Sequence, residues 1–319
     1  MAIDLLLLLL TFALGLALAR VSLCAVAALQ QLIDVRQYDG LLRLLLAASG
    51  AGVALLLLAG LVPGQVLLPG EMAGLAGAIA GGLLLGLGAL VNGGCYLGSV
   101  LYLGSGNLNF LLTLVGIAGG EFLSTAATGI ALPAEANLRM SMGPAWIAGA
   151  AGFSLVIAFG LFRARSGAGS AARSGARSRE RWLAVAAGLL AGLVYARHPG
   201  WSYGTVLDSL AQGHFARTYW TMNLAALLLF AGAWSGAWLT GRFRLQWPSA
   251  ARSLRCLAGG LIMGFGAARV PGGNDLLLLW AIPGLTLYGA LAYGSMLLLI
   301  AAGLLLGQRW RRGPAGVPG

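Results

Sequence analysis

The sequence predicts an all-α polytopic membrane protein, with about nine transmembrane helices plus four short re-entrant half-helices in two inverted-topology repeats. Three observations lead there. Hydrophobic residues make up 59% of the chain and charged ones only 9%, whereas a soluble domain carries about a quarter charged residues. The apolar residues come in long blocks, among them 5–19, 72–91 and 285–306. A glycine-rich motif occurs twice, once in each half.

About 20 apolar residues, rising ~1.5 Å each, span the ~30 Å hydrocarbon core. The blocks lack the in–out alternation of a membrane β-strand. They give nine spans, near 3–20, 41–62, 72–91, 108–131, 144–162, 182–196, 216–240, 254–268 and 285–307. The first block ends in Ala17-Leu18-Ala19, like a signal peptide. Asp4 precedes it and no basic residue does, so it reads as a retained helix. The 51 glycines suit helices packed in lipid, where small residues let backbones approach. Gly82-x-x-x-Gly86 and Gly260-x-x-x-Gly264 are such surfaces.

The net charge of +11 comes from arginine alone, with no lysine. These arginines lie between apolar blocks, where they report topology rather than nucleic-acid binding. With the N-terminus outside, the cytoplasmic loops hold fifteen: Arg36, Arg43, the six of 163–181, Arg242, Arg244, Arg252, Arg255, Arg309, Arg311 and Arg312. The outer loops hold four, Arg139, Arg197, Arg217 and Arg269, with Arg20 at a boundary. The C-terminus is then cytoplasmic. The Arg/Ser/Gly stretch 163–181 reads as a cytoplasmic linker. It separates a first half, 1–162, with an extra fifth helix, from a second half, 182–319.

The repeat is the most informative feature. GGLLLGLGALVNGGC at 81–95 resembles GGLIMGFGAARVPGGN at 259–274, with one residue inserted. Earlier in each half, LARVSLC at 18–24 resembles YARHPGWS at 195–202. Five spans precede the second copy, and an odd number makes it enter the membrane from the opposite side. That is the inverted repeat common in secondary transporters.

After each motif comes a segment too short to span: 24–33, 95–103, 201–210 and 274–282. These read as half-helices, with Gly93–Gly94 and Gly272–Gly273 as turns, since glycine accepts positive φ. Non-helical backbone at membrane depth is tolerated where it lines a cavity. A helix N-terminus facing that cavity favours an anion. The residues there are Cys24, Cys95, Ser202 and Asn274, all hydrogen-bond donors. Thiols are soft and polarizable, which suits a soft anion such as a sulfur oxyanion with a terminal sulfur. The matched Arg20 and Arg197 either join the pathway or snorkel to headgroups. Cys256 falls outside the motifs and reads as structural; Arg269 and Asp275 are placed to pair with each other; His198 and His214 read as loop residues. Cysteine and histidine show no metal-ligand spacing, the three cysteines no disulfide framework, and the chain no phosphate loop. No metal, no cofactor and no enzyme activity are expected.

Arg20-x-x-x-Cys24, Gly93-Gly-Cys95 and the run GFGAARVPGGND at 264–275 resemble the YeeE/YedE sulfur-transport family. The resemblance runs from Arg20 to about Leu306. It implies an hourglass of inverted repeats in the bacterial inner membrane that takes up thiosulfate or a related species. It also implies cysteines along a central path that pass the anion by transient S–H···S contacts. Cys24 and Cys95 match two of these positions; the third is Asn274 here. A small TusA-type cytoplasmic sulfur carrier is the partner the family implies. The leading expectation is transport of a small sulfur-containing anion. A channel for another small solute and a membrane thiol-redox protein are the alternatives.

Overall fold

Backbone N–H and C=O groups in an apolar run find partners only within the run, so the long blocks fold as helices. The computed structural model describes residues 4–62, 64–71, 74–128, 145–165, 171–213, 220–270 and 272–312. Arg139, His214 and Arg217 lie outside these residues. The described chain is all-helical. In order come α1 (Leu5–Val21), α2 (Ala25–Val35), α3 (Asp39–Leu61), α4 (Leu75–Asn92), α5 (Tyr96–Gly104), α6 (Leu111–Thr128) and α7 (Ala145–Arg165). Then follow α8 (Ala171–Arg197), α9 (Tyr203–Ala211), α10 (Trp220–Leu239), α11 (Ala250–Ala267), α12 (Asn274–Leu276, continued by a π-helical turn Leu277–Ala281) and α13 (Leu287–Arg312). A short 3-10 turn, Leu108–Phe110, leads into α6. Helices α2, α5, α9 and α12 are the short ones, and each follows a long helix after a break of a few residues.

Seven segments are long and apolar enough to cross a membrane: Leu5–Val35, Asp39–Leu61, Leu75–Gly104, Leu108–Ala127, Ala145–Phe162, Trp220–Leu239 and Leu287–Trp310. The chain is a multi-pass membrane protein. Large apolar side chains stand outward on these helices, including Leu155, Phe159, Phe162, Trp238 and Leu298. In water such a surface would aggregate, and lipid is the solvent that fits it. The other two long helices, α8 and α11, carry arginines in their N-terminal portions, Arg177, Arg179 and Arg181 in one and Arg252 and Arg255 in the other.

The helices meet at small residues, and the meeting points give their directions. A Cβ on Gly15 of α1 would strike the Leu229 carbonyl of α10, and one on Gly232 the Phe12 carbonyl. Farther on, Gly236 meets Leu16 and Ala19. Both numbers rise together, so α1 and α10 run parallel. In the same way Gly50 meets Val185, and Gly192 meets Ala51 and Ala54, so α3 and α8 run parallel. Gly82 and Gly86 of α4 meet Ala292 and Met296 of α13; Gly260 and Gly264 of α11 meet Thr113 and Ile117 of α6. Those pairs are parallel too. Helices α4 and α11 cross antiparallel, Gly88 against Gly259 and Gly81 against Gly266.

Within the stretch 163–181, residues 163–165 end α7 and residues 171–181 begin α8. Its last residue, Arg181, is buried: Nη2 donates to Asp39 Oδ1 at 2.7 Å and Nη1 to the Gly160 carbonyl at 3.0 Å. Arg43 pairs with Glu180 beside it.

Candidate functional site

Four turns bring the short helices together. Each contains one residue in the left-handed conformation: Ser22 (φ 57°), Gly93 (φ 71°), Gly200 (φ 71°) and Gly272 (φ 82°). Each stands two residues before a position singled out by the repeat, Cys24, Cys95, Ser202 and Asn274. Three of the four are glycine, for which this conformation carries no Cβ penalty. The second glycine of each pair, Gly94 and Gly273, has another reason: a Cβ there would press into the Tyr102 and Tyr96 rings, respectively.

Cys24 caps α2, Cys95 caps α5 and Ser202 caps α9, while Gly273 caps α12 with Asn274 as its first residue. The two sulfurs lie 3.6 Å apart, with Cys95 Sγ donating toward Cys24 Sγ. Cys95 Sγ in turn accepts the Ala25 N–H at 3.3 Å and the Gly98 N–H at 3.4 Å. One sulfur thus receives amides from the starts of two helices, α2 and α5. A Cβ on Gly98 would come within 2.6 Å of Cys24 Sγ, so glycine is what lets the couple fit. Both thiols are free and buried.

The opposite couple has different chemistry. Ser202 Oγ accepts the Gly204 N–H at 3.1 Å, and the Thr205 hydroxyl accepts the Ser202 N–H at 3.1 Å, which makes a capping box. Ser202 Oγ then donates to Asp275 Oδ2 at 2.7 Å. The sequence pairs Asp275 with Arg269 by proximity; in the fold Asp275 goes to Ser202, and the Arg269 guanidinium lies over the Phe265 ring, 5.0 Å from its centroid.

Tyr96 ties the couples together. Its carbonyl accepts from Tyr203 OH at 2.7 Å, its hydroxyl donates to Glu121 Oε1 at 2.9 Å, and Gly204 and Gly273 lie against it without room for a Cβ. Asn274 Oδ1 accepts the Leu97 N–H at 3.3 Å, so the second half caps the first half's short helix. Asn92 braces the first turn, donating to the Gly94 carbonyl at 2.7 Å and Ser99 Oγ at 3.1 Å while accepting from Thr113 at 2.8 Å. Sequence reasoning missed Asn92, Tyr96, Glu121 and Tyr203; the unbroken polar position of Asn92 inside an apolar motif is the one signal that could have flagged it.

The two matched arginines separate. Arg197 is 64% exposed in its side chain, and its Nε donates to Asp4 Oδ2 at 3.1 Å, with His198 Nε2 3.2 Å from the same oxygen. Arg20 keeps its Nε buried without a hydrogen-bond partner, and its carbonyl accepts from Arg242 at 3.4 Å. Asp4 caps α1 by accepting the Leu7 N–H at 3.1 Å. Partial burial raises its carboxyl, but the Leu7 amide, His198 and Arg197 together hold it below the usual carboxylate range. Cys256 is buried in α11. No group of three or more His, Cys, Asp or Glu suited to a metal occurs among the described residues.

The arrangement brings sulfur, hydroxyl and amide donors, with the Asp275 carboxyl behind Ser202, to converging helix starts, and its sulfur side suits contact with a soft, polarizable group. No curated protein matches the chain. The sulphur-transport family matches residues 20–302, a region that takes in all four turns, their caps and Glu121. With that match over most of its length, the chain belongs to the sulphur-transport (YeeE/YedE) family.

Proposed function

We propose that this membrane protein carries a small sulfur-containing anion, thiosulfate or a close relative, along a central path formed by half-helix N-termini and cysteines. The observation that carries the proposal is the Cys95 sulfur, which accepts amides from two helix starts 3.6 Å from a second thiol. Helix N-termini stabilise anions, and a thiol can hand a terminal sulfur from one S–H contact to the next. Cys24 and Cys95 are the transient ligands and Asn274 a neutral donor in place of a third thiol. Ser202 holds the matching position in the second half. Arg20, with a buried unpaired Nε, is the better placed of the two arginines to attract the anion.

The membrane reading extends to nine spans in two inverted repeats, with α2, α5, α9 and α12 re-entrant. Helix directions support it: α8 runs parallel to α3, and α11 runs parallel to α6 and antiparallel to α4, as two further spans would. Aligning 81 with 259 and 88 with 266 turns the Gly88–Gly259 crossing into the Gly266–Gly81 crossing, as a two-fold in the membrane plane requires. Exchanging α1 with α8 and α3 with α10 likewise turns the α1–α10 contact into α8–α3. The arginine distribution then puts the N-terminus outside and the C-terminus in the cytoplasm of the bacterial inner membrane. There a TusA-type carrier can receive the sulfur.

The test is uptake of labelled thiosulfate into cells lacking other importers. Cys95→Ala lowers uptake by about tenfold or more, corresponding to at least ~1.4 kcal/mol of lost interaction; unchanged uptake would rule out the relay. The same 3.6 Å separation favours a second reading, a membrane dithiol that closes to a disulfide of about 2.0 Å while passing two electrons and two protons to an acceptor. Activity that survives Cys95→Ser but needs no reductant excludes it.

A further inference from the structure

Three acidic side chains, one in the first half and two in the second, form no ion pair among the described residues. Glu121 on α6 is 6% exposed and Asp275 on α12 is 5% exposed. Glu121 Oε1 accepts from Tyr96, but Oε2 is buried without a partner. Asp275 Oδ2 accepts from Ser202, but Oδ1 is buried without a partner. Asp208 on α9 accepts from Gln212 Nε2 at 2.7 Å and also keeps one buried, unpartnered oxygen. Among the described residues no arginine or histidine nitrogen lies within 4.0 Å of any of the three.

Among the described residues, the side chains that face the two buried acids carry no compensating charge. Glu121 faces Tyr96 from α5, Asp208 from α9 and Asp275 from α12. Asp275 faces Ser202 and Tyr203 from α9, Tyr195 from α8 and Tyr96 from α5. Helix α11, packed along α6, brings Arg269, but its guanidinium lies over Phe265. The charged residues of α3, Asp39 and Arg43, are held by Arg181 and Glu180. A carboxylate in such a place is costly, and a bound proton removes the cost. Glu121 interacts with both other acids: Asp208, which is bonded to the exposed Gln212, and Asp275, which stands at the half-helix start beside Asn274.

We infer that Glu121 and Asp275 bind protons that travel with the anion, admitted through Asp208. This rests on the transport reading above. A dianion moving inward works against an inside-negative potential for each of its charges. Two carboxyl groups that load outside and release inside supply two compensating protons, and the cycle is electroneutral. Each proton adds to a free carboxylate oxygen and leaves from it; no other bond changes.

Two experiments on the purified full-length protein test the inference. Infrared difference spectra between acid and alkaline buffer should show carboxylic-acid C=O bands, one lost in Glu121→Gln and another in Asp275→Asn. If the wild type shows no titrating acid band, the proton sites are refuted whether or not the protein transports. In proteoliposomes with an internal pH dye, an inward thiosulfate gradient should acidify the lumen. Labelled influx should be several-fold faster with acid outside and unaffected by a potassium–valinomycin potential. Labelled influx without acidification, or influx driven by the potential, overturns the inference and leaves the transport reading standing. No labelled influx at all, with the infrared bands present, sinks the transport reading and with it the role given to these protons. In Glu121→Gln the response of influx to external acid should vanish.

Discussion

The two half-helix couples share a construction and differ in chemistry. On one side Cys24 and Cys95 face each other through sulfur; on the other, Ser202 faces Asp275 through a hydroxyl and a carboxylate. Both are reached through a left-handed residue two or three positions upstream, and both sit at helix starts. The thiol couple is held by sulfur contacts of 3.3–3.6 Å. The hydroxyl–carboxylate couple is a short hydrogen bond in a capping box, with a carboxyl group that the thiol side lacks. On the proposed reading the first would contact the soft anion and the second would be a fixed frame that binds a proton.

The largest stability effect should come from breaking the second couple. Ser202→Ala removes the side-chain hydrogen bond to Asp275 Oδ2 and leaves the buried carboxyl only backbone amides, at a cost of about 1–3 kcal/mol. The thermal midpoint of the detergent-solubilised protein should fall, and Ser202→Thr should recover part of it. Cys24→Ala removes a buried sulfur whose contacts are the Cys95 sulfur and weak helix-start amides, leaves no carboxyl unpartnered, and should shift the midpoint less. Equal shifts would erase the distinction between frame and guest site.

The turns sharpen the comparison at a smaller scale. Gly93→Ala puts a Cβ into a left-handed turn, costing ~1–2 kcal/mol, with the Arg252 guanidinium 3.2 Å from the new atom. Ser22 already bears that strain, so Ser22→Gly should move stability in the opposite direction by ~0.5–1 kcal/mol. Both are read from the midpoint of unfolding.

The smallest effect lies at the exposed arginine. Asp4 is held below its ordinary range in the folded protein, so its contribution is present above the usual carboxylate range and fades as pH falls through and below it. Asp4→Asn should cost under about 1 kcal/mol at neutral pH, because Arg197 is largely in water, and should flatten the acid limb of the stability–pH curve. A larger loss at neutral pH would give Arg197 a role that its exposure does not suggest.

Much of this could be read from the sequence. The long apolar runs gave most helices to within about five residues, since apolar backbone in lipid must pair its own N–H and C=O groups; α8 begins at Ala171, eleven residues before the apolar run, because its first turns are polar. The repeat singled out Cys24, Cys95, Ser202 and Asn274, each of which stands at the start of a short helix. The Ser202–Asp275 bond was illegible, because its partners are 73 residues apart and Arg269 offered a nearer charge. Ser22 was missed because a left-handed turn was sought only at glycine. Glu121 was passed over as one acid in an apolar block, and only the packing of α5 against α6 brings Tyr96 to it. The stretch 163–181 looked like a loop by composition, yet Arg181 finds Asp39 and folds inward.

The Cys95 sulfur that gathers two helix-start amides has one more consequence. On the proposed transport reading, the two helix-start amides that would greet an anion are held by the protein's own side chain. A visiting anion would have to evict that sulfur, which would return when the anion left. The passage would then behave as a turnstile with a resident occupant: chloride and other hard ions would gain little by displacing a polarizable tenant, while a guest that ends in sulfur would replace like with like.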